Sequence, residues 1–136
     1  MILIDTDVCL EILRGNKDVI QRRRATTETV AISFMTVAEL YFGAYRSDEP
    51  KHNRGLVEKF LLTVQIRHSD NQIQERFGMI KSSLQRDGQT IADADVLIAA
   101  TALSNTAKLV TGNVRHYERI EGLKIENWMA QGQDAS

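Results

Sequence analysis

The chain contains one cysteine and one proline, and it has no apolar run long enough to span a membrane. With Cys9 as the only thiol, no disulfide can form within the chain, which favours a reducing compartment. The first residues lack both the basic segment and the long apolar segment of a secretory signal. We therefore expect a cytoplasmic protein.

A strong net charge is also missing. The 17 basic and 18 acidic side chains leave a formal charge of −1, which argues against a protein that coats nucleic acid by charge alone. The basic residues are nevertheless grouped, mainly in Arg22–Arg24 and in Arg115, His116 and Arg119. For the arginine triplet the sequence leaves two alternatives open, the solvated face of a helix or a rim that contacts phosphates.

The chain has no Gly/Ser-rich linker and no repeat, and its 136 residues correspond to one domain. Apolar runs without polar alternation predict buried strands at 2–4 and 30–32, and further strands are predicted at 64–66, 109–110 and 123–125. Helical patterns lie between these runs, and this alternation predicts a doubly wound, three-layer α/β/α sandwich with a mainly parallel sheet of about five strands. We assign residues 1–130 to the domain and expect residues 131–136 to form a frayed tail.

Two of the predicted helices begin with sequences typical of a capping box. One is Ser69-Asp70-Asn71-Gln72, and the other is Thr36-Val37-Ala38-Glu39. In the second, Glu39 would bond back to the Thr36 backbone, which explains this acid without any ligand. Because its helix follows the second strand, however, Glu39 also faces the edge of the sheet where ligands bind.

Asp5 ends the first predicted strand, so it lies at the edge where open parallel sheets bind ligands. It would also make a good helix cap, but Thr6 and Asp7 could cap equally well, and we favour a functional role. Asp93 and Asp95 begin the most apolar helix, where carboxylates interact well with the helix dipole. A carboxylate beside so buried a helix is costly unless it is paired or binds a cation, which favours function for at least one of the two.

Converging acids repel each other, and a divalent cation relieves that repulsion. Mg²⁺ prefers oxygen ligands and needs only one or two carboxylates together with substrate phosphate. Such a site can generate hydroxide for phosphodiester hydrolysis. Zinc is disfavoured, because one cysteine and three scattered histidines (His52, His68 and His116) do not form a ligand spacing.

Six segments occur together along almost the whole chain: ILIDTD at 2–7, ISFMTVAELYFGA at 32–44, DVLIAA at 95–100, LVTGN at 109–113, RHYERI at 115–120 and GLKIENW at 122–128. In this order and combination they resemble the PIN-domain family, and specifically the VapC-type toxins of bacterial toxin–antitoxin pairs. The resemblance implies a Mg²⁺- or Mn²⁺-dependent endoribonuclease whose metal ligands are Asp5, Glu39 and Asp95. The resemblance implies that Asp95 is the metal ligand and that Asp93 is an N-cap or an outer-shell acid.

The resemblance also assigns supporting roles. Asn113 stands at a fourth site position that is often acidic in the family, and the question whether His116 or Glu118 compensates stays open. Asp7 stands where family members usually carry Asn. The remaining supporting residues are Thr6, Thr36, Asp93 and Thr111. No Cys/His or Ser/His pair suggests covalent catalysis, so direct attack by a metal-activated water is expected.

The partners implied by the resemblance are RNA, with tRNA among the candidates, a VapB-type antitoxin and a second copy of the chain. An antitoxin needs an apolar groove, for which we select Leu10, Leu13, Phe42 and Tyr45, although Phe42 and Tyr45 taken singly are simpler to explain as core.

Two other functions stay open. One is a DNA nuclease or another metal-dependent phosphohydrolase on the same fold. The other is a response-regulator-like module that binds Mg²⁺ without hydrolysis. A module of that kind would carry a lysine at the end of its last-but-one strand. Lys108 instead begins the corresponding strand, which argues against this function.

Overall fold

Five short strands form the centre of the computed structural model, which describes residues 1–129. They are β1 (Ile2–Ile4), β2 (Val30–Ser33), β3 (Gln65–Arg67), β4 (Lys108–Val110) and β5 (Ile125–Glu126). All pair in parallel, in the order β3-β2-β1-β4-β5. The predicted α/β/α sandwich with a parallel five-stranded sheet is therefore confirmed, whereas the predicted frayed tail at 131–136 lies outside the described residues.

Seven helices within residues 1–129 cover the two faces of the sheet. They are α1 (Thr6–Leu13), α2 (Lys17–Ala25), α3 (Phe34–Tyr45), α4 (Pro50–Leu61), α5 (Asn71–Arg86), α6 (Asp93–Ser104) and α7 (Val114–Tyr117). Successive strand side chains point to opposite faces, so Ile2 and Ile4 pack with α1 to α4 while Leu3 packs with α5, α6 and α7. Two apolar cores result, one on each side of the sheet. No helix in this described part combines the length and apolar character needed to cross a bilayer.

The strand order reverses between β1 and β4, which pair through Leu3 and Leu109. From β1 the chain first builds outward through β2 and β3, and it then returns to add β4 and β5 on the other side. The carboxyl edge, meaning the edge where the strands end, therefore has a crevice at β1 and β4. Ligands of open α/β sheets bind at such reversals.

Helix starts differ from the predicted capping boxes. Ser33 caps α3, because its Oγ accepts a hydrogen bond from the Met35 N–H at 3.0 Å. The last residue of the strand therefore also begins the helix, Thr36 lies inside the first turn, and the capping box at 36–39 is wrong. Asp70, not Ser69, caps α5 by accepting from the Ile73 N–H at 2.9 Å.

The arginine triplet lies on α2, a helix that the apolar pattern does not predict because only Val19 is buried. Two of its three arginines donate to loop carbonyls. The Arg22 guanidinium donates to Asn127 O at 3.4 Å, and that of Arg23 donates to Thr63 O at 2.5 Å. These two side chains tie α2 to neighbouring loops, so the triplet is not a purely solvated face, and its contact with phosphates stays a prediction.

Smaller differences concern the outer strands and two aromatic side chains. β3 begins one residue after the predicted start at 64, and β5 begins two residues after 123, where the Leu123 N–H still closes a turn by donating to Ile120 O. Phe42 and Tyr45, for which core positions were the simpler expectation, are 64% and 61% exposed. Both lie on the outer face of α3.

Candidate metal centre

Asp5 follows β1 directly and is buried, with 4% of its surface exposed. Its Oδ1 accepts the Thr6 N–H at 2.8 Å and its Oδ2 accepts the Thr111 hydroxyl at 2.8 Å. The prediction that Asp5 is not needed as a cap is therefore wrong, since Asp5 is the N-cap of α1. Burial and the neighbouring Asp7 charge raise the pKa of Asp5 to about 7 despite these hydrogen bonds.

Asp7 joins α1 to the loop that follows β4. Its Oδ1 accepts the Val8 N–H at 2.7 Å and its Oδ2 accepts the Gly112 N–H at 2.9 Å. Burial is the main cause that raises the pKa of Asp7, and the charge of Asp95 contributes. Asp5, Asp7 and Asp95 thus form one electrostatically coupled set, which we call the acid group.

Asp95 lies in the first turn of α6, where α7 supplies its two partners. The Tyr117 hydroxyl donates to Asp95 Oδ1 at 3.2 Å, and His116 Nδ1 lies 3.6 Å from Asp95 Oδ2. Tyr117 is fully buried. Burial, followed by the charges of Asp5 and Asp95, raises the pKa of Tyr117 far above its usual range, so the phenol keeps its proton.

Glu39 lies in the second turn of α3 and reaches α1 through one hydroxyl. Its Oε1 accepts the hydroxyl proton of Thr6 at 2.7 Å, and Thr6 Oγ1 lies 3.0 Å from Thr36 Oγ1. The two predicted supporting threonines therefore fix Glu39 next to the start of α1. Because Thr6 follows Asp5 in the chain, Glu39 is linked to the acid group through this single residue.

Asp93 does not cap α6, because Ala92 occupies the N-cap position. Its Oδ1 lies 3.0 Å from Lys81 Nζ on α5, and its side chain is 60% exposed. The N-cap role is therefore wrong, since the helix begins one residue earlier and the carboxylate is paired with α5.

The loop after β4 contains the predicted fourth position. The Asn113 N–H donates to Thr111 Oγ1 at 3.0 Å, while the Asn113 side chain is exposed and makes no capping bond to α7. Of the two candidates for a compensating residue, His116 contacts Asp95, whereas Glu118 is exposed and ends α7.

The donor set fits a hard divalent cation. Burial makes the ionised acid group costly, and a bound cation would offset that cost. Among residues 1–129 no lysine or arginine pairs with Asp5, Asp7 or Asp95. The same residues contain no set of three or more Asp, Glu, His or Cys side chains already gathered as a metal site. The carboxylates of Asp5 and Asp95 are nonetheless a donor set that Mg²⁺ can use together with water and substrate oxygens.

Tyr117 was missed by the sequence reasoning. The available signal was a lone aromatic residue in the charged segment RHYERI, which suggests an anchored side chain. That signal does not reveal the partner, because the contact with Asp95 depends on how α7 packs against α6.

The chain belongs to the PIN domain family, which matches residues 2–123. It is 33% identical over 128 residues to Ribonuclease VapC2 of Haemophilus influenzae, with 93% of this chain and 97% of the relative covered. It is also 33% identical over 127 residues to the tRNA(fMet)-specific endonuclease VapC of Salmonella typhimurium, with 93% and 96% covered. The predicted PIN-domain and VapC-type resemblance is thereby confirmed.

Solved structures show the same fold. VapBC2 of Rickettsia felis, bound to a DNA fragment from its promoter, matches with a TM-score of 0.89 at 28% identity. DNA-bound VapBC of Salmonella typhimurium matches with a TM-score of 0.89 at 32% identity. Each alignment covers 95% of this chain and 100% of the other.

Proposed function

We propose that this chain is a Mg²⁺- or Mn²⁺-dependent endoribonuclease and the toxin of a toxin–antitoxin pair. The observation that carries the proposal is Asp5, a buried carboxylate with a raised pKa at the end of β1, coupled to Asp7 and Asp95 on a PIN domain. Relatives of similar length that are named ribonucleases and tRNA(fMet)-specific endonucleases support RNA as the substrate, with tRNA as the first candidate.

Asp5 and Asp95 are the residues we assign to the metal, directly or through water, with Glu39 completing the set. When bound, the metal would lower the pKa of a coordinated water and stabilise the charge that develops on the phosphate. The chain's own contribution is to hold these oxygens in place. Thr111 and the Thr6 N–H fix the two oxygens of Asp5, and the Thr6 hydroxyl fixes Glu39.

Exposed polar residues on and next to α7 are suited to RNA. Arg115 lies in α7 and Arg119 follows two residues after its end, and both are exposed, so their guanidinium groups are available to contact backbone phosphates. The exposed amide of Asn113 can orient a water or a phosphate oxygen without adding charge. These contacts bring the scissile phosphate to the carboxyl edge, where we assign direct attack by water.

An antitoxin is the proposed protein partner, because the matching structures from Rickettsia felis and Salmonella typhimurium are VapBC complexes. An apolar groove of about 500 Å³ lies between α1, α3 and α4. Its apolar wall is formed by Leu10, Leu13, Leu40, Leu56 and Val57. We assign this α1/α3/α4 groove to the C-terminal segment of a VapB-type antitoxin, and from the family resemblance we also propose a homodimer.

Cleavage assays separate this proposal from its alternatives. Purified wild type and Asp95→Asn are incubated with total RNA or plasmid DNA, in Mg²⁺, Mn²⁺ or EDTA, and melting temperatures are recorded with and without Mn²⁺. We expect metal-dependent cleavage of RNA alone, loss of cleavage in the variant, and stabilisation of the wild type by Mn²⁺ through mass action.

Other results would select another function. Cleavage of DNA would indicate the DNA nuclease, and stabilisation by Mn²⁺ without any cleavage would indicate the binding module. RNA cleavage that persists in EDTA would contradict the metal assignment. Sequencing the 5′ ends of cellular RNA after induction identifies the target.

A further inference from the structure

The hydroxyl of Tyr117 lies next to the acid group, and the ring that carries it is held in place by the core. The side chain is fully buried and packs in the core between the sheet and α6, with Leu109, Val96 and Ile120 in the same cluster. Its hydroxyl donates to Asp95 Oδ1 at 3.2 Å. The hydroxyl position is therefore set by core packing.

Asp5 and Asp95 come from different parts of the fold. Asp5 ends β1, and its partners, Thr6 and Thr111, belong to the β1–α1 junction and to the end of β4. Asp95 lies on α6, and its other side-chain neighbour within the described part of the chain is His116, which is also on α7. Within residues 1–129, the Tyr117 hydroxyl is thus the group that lies within hydrogen-bond distance of the Asp95 carboxylate.

We propose that Tyr117 is a positioning residue that holds Asp95 in the orientation needed to bind a divalent cation together with Asp5. This inference rests on the proposed function for the assignment of the two acids as ligands. A carboxylate oxygen has two lone pairs, so a bond from the phenol leaves others for the metal. Groups that hydrogen-bond to metal ligands in this way typically change metal affinity about 10- to 100-fold when removed.

The competing explanation is that Tyr117 only fills the core. The substitution Tyr117→Phe separates the two explanations, because it keeps the ring and removes the hydroxyl. The matched control is Tyr41→Phe, which removes a hydroxyl from a half-buried tyrosine on α3 that packs in the opposite core.

The experiment titrates wild type, Tyr117→Phe and Tyr41→Phe with Mn²⁺ in the absence of RNA, and follows free Mn²⁺ by electron paramagnetic resonance. We expect the dissociation constant to rise about 10-fold or more in Tyr117→Phe and to stay unchanged in Tyr41→Phe. Circular dichroism confirms that each variant is folded at the temperature of the titration. An equal or tighter affinity in folded Tyr117→Phe would overturn the positioning role and leave the proposed function intact.

Two further outcomes are decisive. If wild type itself does not bind Mn²⁺, the proposed metal site fails and the inference fails with it. If Tyr117→Phe is unfolded, the hydroxyl serves stability and the positioning role is overturned.

A kinetic readout gives an independent check, since added Mn²⁺ should restore RNA cleavage by Tyr117→Phe towards the wild-type rate but should not restore it in Asp95→Asn. A loss in Tyr117→Phe that Mn²⁺ does not rescue would also contradict positioning.

Discussion

Asp5 uses its two carboxylate oxygens for two different structural tasks. Oδ1 caps α1 through the Thr6 N–H, and Oδ2 accepts the hydroxyl of Thr111 at the end of β4. Both tasks keep the carboxylate buried, and burial raises its pKa to about 7. A cation placed beside Asp5 would favour the ionised form and lower that pKa. Binding of the proposed metal would therefore be coupled to the loss of a proton from this residue.

The raised pKa of Asp5 predicts that the metal-free protein loses stability as the pH rises. The folded state holds the proton up to about pH 7, whereas the unfolded chain releases it near 3.8. The stabilisation from protonated Asp5 is thus fully present below the unfolded pKa and is lost as the pH passes through the folded pKa. Between the unfolded and the folded pKa, we expect the ionisation of Asp5 to lower the free energy of unfolding by up to about 4 kcal/mol.

The measurement is urea denaturation in EDTA across this pH range, for wild type and for Asp5→Asn. The variant cannot ionise at this position, so its unfolding free energy should fall less steeply. Parallel pH profiles for the two proteins would show that Asp5 titrates normally in the folded state.

We expect the substitution of Asp by Asn to have opposite effects on RNA cleavage at positions 7 and 95. Asp7→Asn restores the usual family residue and retains an amide oxygen that can accept the Gly112 N–H, so most RNA cleavage should survive. Asp95→Asn and Asp5→Asn remove charge from proposed ligands and should abolish cleavage and toxicity while leaving the fold intact. The assays are RNA cleavage and growth after induction. An inactive Asp7→Asn alongside an active Asp95→Asn would mean that the ligands are assigned to the wrong acids.

At the scale of elements, the loop between β4 and α7 is held against α1 by Gly112. Its N–H donates to Asp7 Oδ2, and a Cβ added there would lie 2.9 Å from that oxygen and 2.5 Å from Met129 Cε. Gly112→Ala must therefore displace the carboxylate, the methionine or the loop. We expect a loss of about 1–3 kcal/mol in unfolding free energy, together with reduced cleavage.

The matched control is Gly78→Ala on α5, where an added Cβ meets nothing within 4 Å. That substitution should stabilise the helix by up to about 1 kcal/mol and leave cleavage unchanged. Urea denaturation and RNA cleavage of both variants provide the comparison. Wild-type stability in Gly112→Ala would show that the loop adjusts without strain.

Elements with a continuous buried pattern were predictable from the sequence, and those that depend on tertiary contacts were not. β1 is buried at every residue, and α5 carries a regular apolar stripe, so both are visible in the sequence. By contrast, α2 buries only Val19 and α7 has four residues, so neither produces a pattern. For the same reason the positions of Asp5 and Glu39 after predicted strands, and of Asp93 and Asp95 at the start of a helix, were visible in the sequence. The choice of Asp95 over Asp93 came from the family resemblance, and the contact between Tyr117 and Asp95 was not visible.

At the scale of the whole molecule, the candidate site draws on both helical layers. Asp5, Asp7 and Glu39 belong to the side of α1 and α3, while Asp95 and Tyr117 belong to the side of α6 and α7. Leu40, which lines the α1/α3/α4 groove, directly follows Glu39 in α3. We therefore expect a partner segment lying in this groove to extend towards the acids.

The groove predicts that antitoxin binding and RNA cleavage can be separated by substitution. Leu56 lines the groove and is 37% exposed, so Leu56→Glu should weaken the complex while leaving RNA cleavage intact. The matched control is Leu62→Glu, because Leu62 is 87% exposed and does not line the groove. Co-purification with the product of the adjacent reading frame measures the effect. Equal recovery of the complex with both variants would place the antitoxin on another surface.

The acid group predicts how such an antitoxin would inhibit. Asp5, Asp7 and Asp95 have no lysine or arginine partner in residues 1–129, and Glu39 is linked to them through the Thr6 hydroxyl. An inserted Arg or Lys would therefore form charge-assisted hydrogen bonds with several carboxylates. The same cation would occupy the place assigned to the metal and block the path of the phosphate. Replacing the partner's C-terminal basic residues one at a time should therefore restore RNA cleavage by the complex for at least one residue. If the complex stays intact and none of these replacements restores cleavage, inhibition does not proceed through a cation in the site.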